Sequence, residues 1–345
     1  MQLEAARPSP ILDFTPEIAR ATAALHEKLR PVIPDLEWPV HAPYIARIDE
    51  LKRECNAVVL AHNYQTPEIY HGVADYVGDS LGMAQFGSRS DAAVIVVAGV
   101  HFMAETAKIL SPEKTVLCPD LEAGCSLAES ITADDVRLLR ERYPGVPVVC
   151  YVNTTAAVRA EVDICCTSAN AVAIVESLES DRVIFLPDEY LGKYVATQTS
   201  KEIILWKGHC VVHERFTAED IRSFREAYGG GIQVLAHPEC PPEVLEAADF
   251  VGSTSAMIHY VEGKRPRRVV LVTECSMSDN VAVNFPDIEF VRPCNLCPYM
   301  KMITLPKILR SLETMEHQVE IPEDVRQRAA VSMQRMMAVG RKEGT

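Results

Sequence analysis

Residues 58–64, Val58-Val59-Leu60-Ala61-His62-Asn63-Tyr64, pass from four consecutive apolar side chains straight into three that can hydrogen-bond. The same transition returns at Val148-Val149-Cys150-Tyr151 with Val152-Asn153, and at Gln233-Val234-Leu235-Ala236 with His237-Pro238-Glu239. A short solid apolar run reads as a strand buried on both faces, as in a parallel sheet, and the polar cluster then stands at its carboxyl end. Behind each cluster a helix-length segment ends in an aspartate, Asp75, Asp163 or Asp249, spaced by 88 and 86 residues. Five residues further stands a hydroxyl: Ser80, Ser168 or Thr254.

Two more sets of runs keep the same step. Val94 to Val97, Val183 to Leu186 and Val269 to Val272 read as second strands; Val116-Leu117, Ile203 to Leu205 and Ile288 to Val291 read as third strands. A cysteine follows each third strand, Cys125, Cys210 and Cys297, spaced by 85 and 87 residues. Three copies of a unit of about 86 residues therefore span roughly residues 57–300, a period too long for a solenoid. The expected fold is α/β: three similar three-layer α/β/α domains with parallel sheets around a pseudo-threefold axis. The expected divisions are 1–56 as an N-terminal helical extension, repeat domains at 57–145, 146–230 and 231–305, and 306–345 as a C-terminal helical extension packing on them. Thr15-Pro16-Glu17 carries the cap, the first-turn proline and the acid of a helix start, and the proline-rich stretch Pro31 to Pro43 is expected to stop that helix.

Composition narrows the function classes. In 345 residues, 48 acidic side chains face 34 basic ones, a formal charge of −14, the wrong sign for a general nucleic-acid binder. Apolar residues at 48% and charged ones at 24% exclude a disordered or fibrous chain. No apolar run approaches the ~20 residues of a membrane span. Eleven cysteines are an odd number in a long chain with no apolar signal segment in its first residues. A reducing cytoplasm is therefore expected rather than a secreted disulfide scaffold.

Cys125, Cys210 and Cys297 keep phase with three strand sets, so loops on three equivalent units would bring them to one point. Three thiolates at one point call for a metal or cluster. Structural zinc wants four ligands, whereas an iron–sulfur cluster held by three cysteines leaves one iron open to substrate. The phase favours the cluster, with zinc or a chance arrangement as the alternatives. Cys294 forms a C-x-x-C with Cys297, but Cys297 fits the period better, at 87 residues from Cys210 against 84. Cys118, Cys150, Cys165, Cys166 and Cys275 lie in or beside apolar strands and read as packing thiols; Cys55, Cys240 and Cys294 are left unassigned. The strand-end residues His62, Tyr64, Tyr151, Asn153, His237 and Glu239, with the hydroxyls of Ser80, Ser168 and Thr254, stand where ligands bind in parallel α/β units. They supply acid–base groups and anion donors but few cations. Phe102 and Met103 are candidate pocket wall or core. His213, three residues past Cys210, is a candidate to orient the cluster or touch substrate.

With these residues in view, the chain resembles the quinolinate synthase family, the A proteins of bacterial NAD biosynthesis. The resemblance rests on AHNYQ (61–65), GDSLGMA (78–84), GVHFMAE (99–105), PDLEAGCSLA (119–128), YVNTTAAVRAEVD (151–163), TSANAV (167–172), PDEYLGKYV (187–195), WKGHCVVHE (206–214), HPECP (237–241), VGSTSAM (251–257) and CNLCPYMKM (294–302). It implies three α/β/α domains about a pseudo-threefold axis, with one [4Fe-4S] cluster at the centre bound by Cys125, Cys210 and Cys297. It implies condensation of iminoaspartate with dihydroxyacetone phosphate to quinolinate, phosphate and water, the open iron acting as a Lewis acid. Matched by motif, His62, Ser80, Tyr151, Val152, Asn153, Ser168, His237, Pro238, Glu239 and Thr254 would bind substrate, and Tyr64, His237 and Glu239 are the candidates for proton transfer. Functional coupling to an aspartate-oxidising enzyme follows from the instability of iminoaspartate; nucleic acid and membrane are not expected partners. Some relatives carry C-x-x-C-x-x-C at the last position, and here the first of those thiols is absent. A non-catalytic iron–sulfur protein and a different hydro-lyase are the competing classes.

Overall fold

The computed structural model describes residues 12–229 and 231–339, so the first eleven residues and the last six, which belong to the expected extensions, lie outside the described residues, as does Gly230. Among the described residues, twelve strands form three four-stranded sheets. The first holds β1 (Ala57–His62), β2 (Tyr76–Gly78), β3 (Val94–Ala98) and β4 (Thr115–Leu117) in the order β2-β1-β3-β4. The second holds β5 (Val148–Tyr151), β6 (Ile164–Cys166), β7 (Arg182–Leu186) and β8 (Glu202–Leu205), ordered β6-β5-β7-β8. The third holds β9 (Ile232–Ala236), β10 (Phe250–Val251), β11 (Arg268–Val272) and β12 (Glu289–Val291), ordered β10-β9-β11-β12. Every pairing within these sheets is parallel. The α/β class and the threefold repetition expected from sequence are what the structure has.

The expected unit had three strands and the observed one has four. The missing strands β2, β6 and β10 are two or three residues long, too short to stand out as apolar runs. Their positions were marked instead by Asp75, Asp163 and Asp249, which prove to be structural. Each carboxylate accepts from a backbone N–H of the adjoining strand: Val59 N to Asp75 at 2.7 Å, Val148 N to Asp163 at 2.8 Å and Val234 N to Asp249 at 2.8 Å. Each aspartate N–H returns a bond to the carbonyl of that same residue. A cation closes every set: Lys52 lies 2.8 Å from Asp75, Arg140 2.8 Å from Asp163 and Arg225 3.1 Å from Asp249. The aspartate thus fixes the register of a strand too short to fix it alone. Asp249→Ala is expected to lower stability by about 2 kcal/mol, the scale of a hydrogen bond to a charged group, with Asp249→Asn costing less. Urea denaturation followed by circular dichroism checks this; an unchanged midpoint in Asp249→Ala would remove the pinning role.

In the third sheet, alternate residues serve opposite faces. Ile232, Val234 and Ala236 pack with Ile221, Val270 and Val272, whereas Leu235 packs with Met257, Val261, Val269 and Leu271. Both faces are therefore covered, which is why the strands read as solid apolar runs. The first two units share one continuous core with the terminal helices. Thr15 caps the helix Pro16–Ala21 by accepting from Ile18 N. The stretch Pro31 to Pro43 was expected only to stop helix, yet a helix runs from Trp38 to Glu54 with Pro43 inside it. Pro39 lies in its first turn, where N–H groups lack intrahelical partners. Burial of Trp38, Ala42, Ile45, Ile48 and Leu51 on one face outweighs the bond lost at Pro43. Residues 317–319 meet the edge of β4, with Val319 N donating to Val116 O and an antiparallel bridge between Leu117 and Gln318. Among the described residues no helix is long and apolar enough to cross a membrane.

Candidate active site

The polar clusters stand at the carboxyl ends of β1, β5 and β9, the first-position strands of the three sheets. They meet in one cavity, whose space is roughly 740 Å³ with the open solvent at its mouth included. Every candidate site residue named above lines it except Pro238, which is buried but not part of the lining. Phe102 and Met103 join the wall, as do Asp79, Thr167 and His213. Among the described residues, no lysine or arginine lines the cavity. Ser80 and Thr254 are the first residues of the helices Ser80–Arg89 and Thr254–Lys264, with Asp79 and Ser253 as caps. Ser168 lies just before the helix Ala171–Glu176.

Within the wall runs a continuous hydrogen-bonded chain. Tyr151 Oη donates to Glu239 Oε1 at 2.6 Å, and His213 Nδ1 lies 2.8 Å from Glu239 Oε2. His213 Nε2 lies 2.9 Å from Thr273 Oγ1, which lies 2.6 Å from Tyr64 Oη. The chain draws on all three units, since Tyr151 ends β5, Thr273 follows β11 and Tyr64 lies two residues past β1. The His237 ring stacks on His213 with centroids 4.8 Å apart, and His62 meets Tyr64 edge-on at 4.7 Å. Thr273 escaped the sequence reading. The signal was its place directly after the second strand of its unit, where the other units carry Gly99 and Pro187.

Burial sets the protonation states. It raises both phenols, Tyr64 and Tyr151, well above their ordinary value, and the Glu239 charge adds to this. Burial also acts to raise Glu239, but the imidazoles of His237 and His213 and the Tyr151 hydroxyl outweigh it and hold the carboxyl below its usual range. Burial lowers His62 to about 4 and His237 to about 3 despite the acids beside them. At neutral pH the site therefore presents two protonated phenols, a carboxylate and two neutral imidazoles. Below the ordinary histidine value of 6.5 the unfolded chain binds protons that the folded chain refuses. Stability should then be complete above that value and fall toward pH 4, by about 1.4 kcal/mol per pH unit for each of His62 and His237. Urea titrations of the metal-free chain between about pH 7 and pH 5 check the slope, and His62→Gln should flatten it.

The three phased thiols share one local design. Cys125 caps the helix Ser126–Glu129, Cys210 precedes the short 3₁₀ turn His213–Arg215, and Cys297 precedes another at Met300–Met302. Burial pushes the Cys125 thiol up to about 12 and raises Cys210 and Cys297 as well. Against burial, backbone N–H groups act to lower each thiol: Ala128 and Leu127 for Cys125, His213 and Val212 for Cys210, Met300 and Tyr299 for Cys297. These thiols resist ionising as free groups, yet donors are already in place for negative sulfur. That donor set suits a thiolate-bound metal group. One atom each from Cys210, His213 and Glu239 lie within 4.8 Å of one another, a grouping able to hold a metal ion. The five thiols read as packing residues are all buried. Cys240 is buried too, with its sulfur 3.5 Å from Val272 O. Cys294 is exposed and its sulfur lies 2.8 Å from that of Cys275.

A sealed acid–base chain opening on a thiol-ringed cavity is the equipment of a catalyst, and the class that fold and site define is an α/β enzyme of threefold-repeated build. Its relatives make this specific. The family model described as quinolinate synthetase A protein matches residues 46–338. A quinolinate synthase of Sinorhizobium fredii is 60% identical over 328 residues, covering 95% of this chain and 91% of its own. Quinolinate synthase 1 of Mesorhizobium japonicum is 64% identical over 319 residues, covering 92% and 98%, and a Caulobacter vibrioides quinolinate synthase is 58% identical over 328 residues, covering 94% and 89%. The chain belongs to the quinolinate synthase family.

Proposed function

We propose that the protein condenses iminoaspartate with dihydroxyacetone phosphate to form quinolinate, releasing phosphate and two waters, with a [4Fe-4S] cluster held by Cys125, Cys210 and Cys297. The observation that supports the reading is the three phased thiols lining one cavity beside the Tyr151–Glu239–His213–Thr273–Tyr64 chain. Held by Cys125, Cys210 and Cys297, the cluster would supply Lewis acidity for dehydration.

The chain's own groups would do the rest. Each lost water needs a proton delivered to a departing hydroxyl and one removed from carbon or nitrogen. Tyr64 and Tyr151, kept protonated, are the donors, and Glu239, kept ionised, is the acceptor. His213 and Thr273 link the two phenols, so a proton taken at one end can be returned at the other without reaching water. The substrate carboxylates and phosphate would be met by hydroxyls and N–H groups at the helix starts near Ser80, Ser168 and Thr254, with His62, Asn153 and His237 as neutral partners. His237 also remains a candidate for proton transfer through its contact with His213. The same proposal places the domain divisions at 57–145, 146–230 and 231–305, the protein in the cytoplasm, and its supply of iminoaspartate with an aspartate-oxidising enzyme.

Iron-loaded protein, kept without air, is given dihydroxyacetone phosphate and iminoaspartate generated from aspartate by an oxidase. Quinolinate is the expected product; its absence while both substrates persist overturns the reading. A mononuclear metal on Cys210, His213 and Glu239 is the second reading. Iron and sulfide in equal amounts favour the cluster, and one zinc without sulfide favours the mononuclear site.

A further inference from the structure

The single helical turn Ser126–Glu129 touches all three thiol-bearing loops. Cys125 is its cap. Ser126 reaches into the second unit, where its Oγ donates to His209 O at 2.9 Å and accepts from Val211 N at 3.2 Å. One hydroxyl thereby brackets Cys210 on both sides. At the other end of the turn, Glu129 Oε2 accepts from Tyr299 Oη at 3.0 Å, two residues past Cys297. Directly after the turn, Ser130 O accepts from Trp206 Nε1 at 3.0 Å. The approach is close: a Cβ on Gly208 would come within 2.5 Å of Ser130 Oγ, and one on Gly124 within 2.5 Å of Glu129 Oε1.

We propose that this turn is a positioning element that fixes the spacing of the Cys125, Cys210 and Cys297 sulfurs, with Ser126 fastening the second loop and Glu129 the third. The proposal rests on the reading of those thiols as metal ligands. The three sulfurs come from loops more than eighty residues apart in sequence, so contacts between loops, together with the core the loops pack on, set their distances before a metal arrives. Groups behind metal ligands act in this way by holding the ligands in a binding arrangement. Ser126 and Glu129 supply two such contacts from one rigid turn.

The test uses the full chain in two states. In protein reconstituted without air with ferrous iron and sulfide, Ser126→Ala is expected to release iron to a chelator about ten-fold faster than wild type. Ser126→Thr, which keeps the hydroxyl, should stay close to wild type. In metal-free protein, cross-linking of Cys125 to Cys210 by dibromobimane, read by peptide mapping, should slow several-fold in Ser126→Ala and recover in Ser126→Thr. Tyr299→Phe removes only the hydroxyl that reaches Glu129, and should slow the Cys125 to Cys297 cross-link even if Ser126→Ala fails to fold. Unchanged cross-linking in the variants while wild type holds iron overturns the positioning role and leaves the cluster reading standing. A wild type that takes up no iron, with cross-linking still dependent on Ser126, upholds the positioning role and overturns the cluster reading.

Discussion

Replacing Cys297 by alanine is expected to abolish iron binding and quinolinate formation together while leaving a folded chain. Cys297 lies in a loop beyond β12, half-buried, outside the sheet cores. That loop is held by other groups: Glu274 accepts from Cys297 N at 3.3 Å, and Lys301 pairs with Glu274 at 3.0 Å and donates to Tyr64 O at 2.7 Å. None of these contacts needs the thiol, so the substitution removes the proposed ligand without removing its setting. On the proposed ligand set, loss of one of three cysteines leaves too few to hold a cluster. The variant is then expected to purify colourless, with iron and sulfide at background. Cys294→Ala is the control, because Cys294 is exposed and its sulfur faces Cys275. Full iron content in Cys297→Ala, or its loss in Cys294→Ala, would show that the ligand set has been drawn wrongly.

Glu239→Gln should do the reverse, keeping the iron and losing the turnover, with kcat reduced about 10³-fold, within the usual range for a general acid–base group. The amide has the carboxylate's shape and still accepts from Tyr151, so the cavity wall should persist. What it lacks is charge: it cannot take a proton from substrate. The defect should appear in kcat at saturating substrate, with iron per chain equal to wild type. Wild-type turnover in this variant would remove Glu239 from the acid–base chain.

The fold was legible wherever a strand was long and buried on both faces. β3, β7 and β11 announce themselves as runs of five residues, mostly Val, Ile and Leu. β10, with only Phe250 and Val251, carries no pattern, and its place is kept by the Asp249 side chain. The helix Trp38–Glu54 was hidden because prolines read locally as breaks, while the buried face that stabilises it comes from packing. The candidate site divided along the same line. Positions repeated in phase, such as Cys125, Cys210 and Cys297, could be found by spacing, since one local design recurs three times. Thr273 has no counterpart in the other units, and its partner Tyr64 is 209 residues away. Only the folded chain brings them within 2.6 Å. The contact between Cys294 and Cys275 was out of reach for the same reason.

The absence of cations from the cavity lining has a kinetic consequence. For the anionic substrates proposed above, a formal charge of −14 and a cavity lining without lysine or arginine among the described residues mean that net charge supplies no attraction at a distance. Capture then depends on random encounter, and selectivity arises only after entry, through short-range fit to N–H and hydroxyl groups. Such a site sacrifices encounter speed, but it does not fill with every phosphate and dicarboxylate in the surrounding solution.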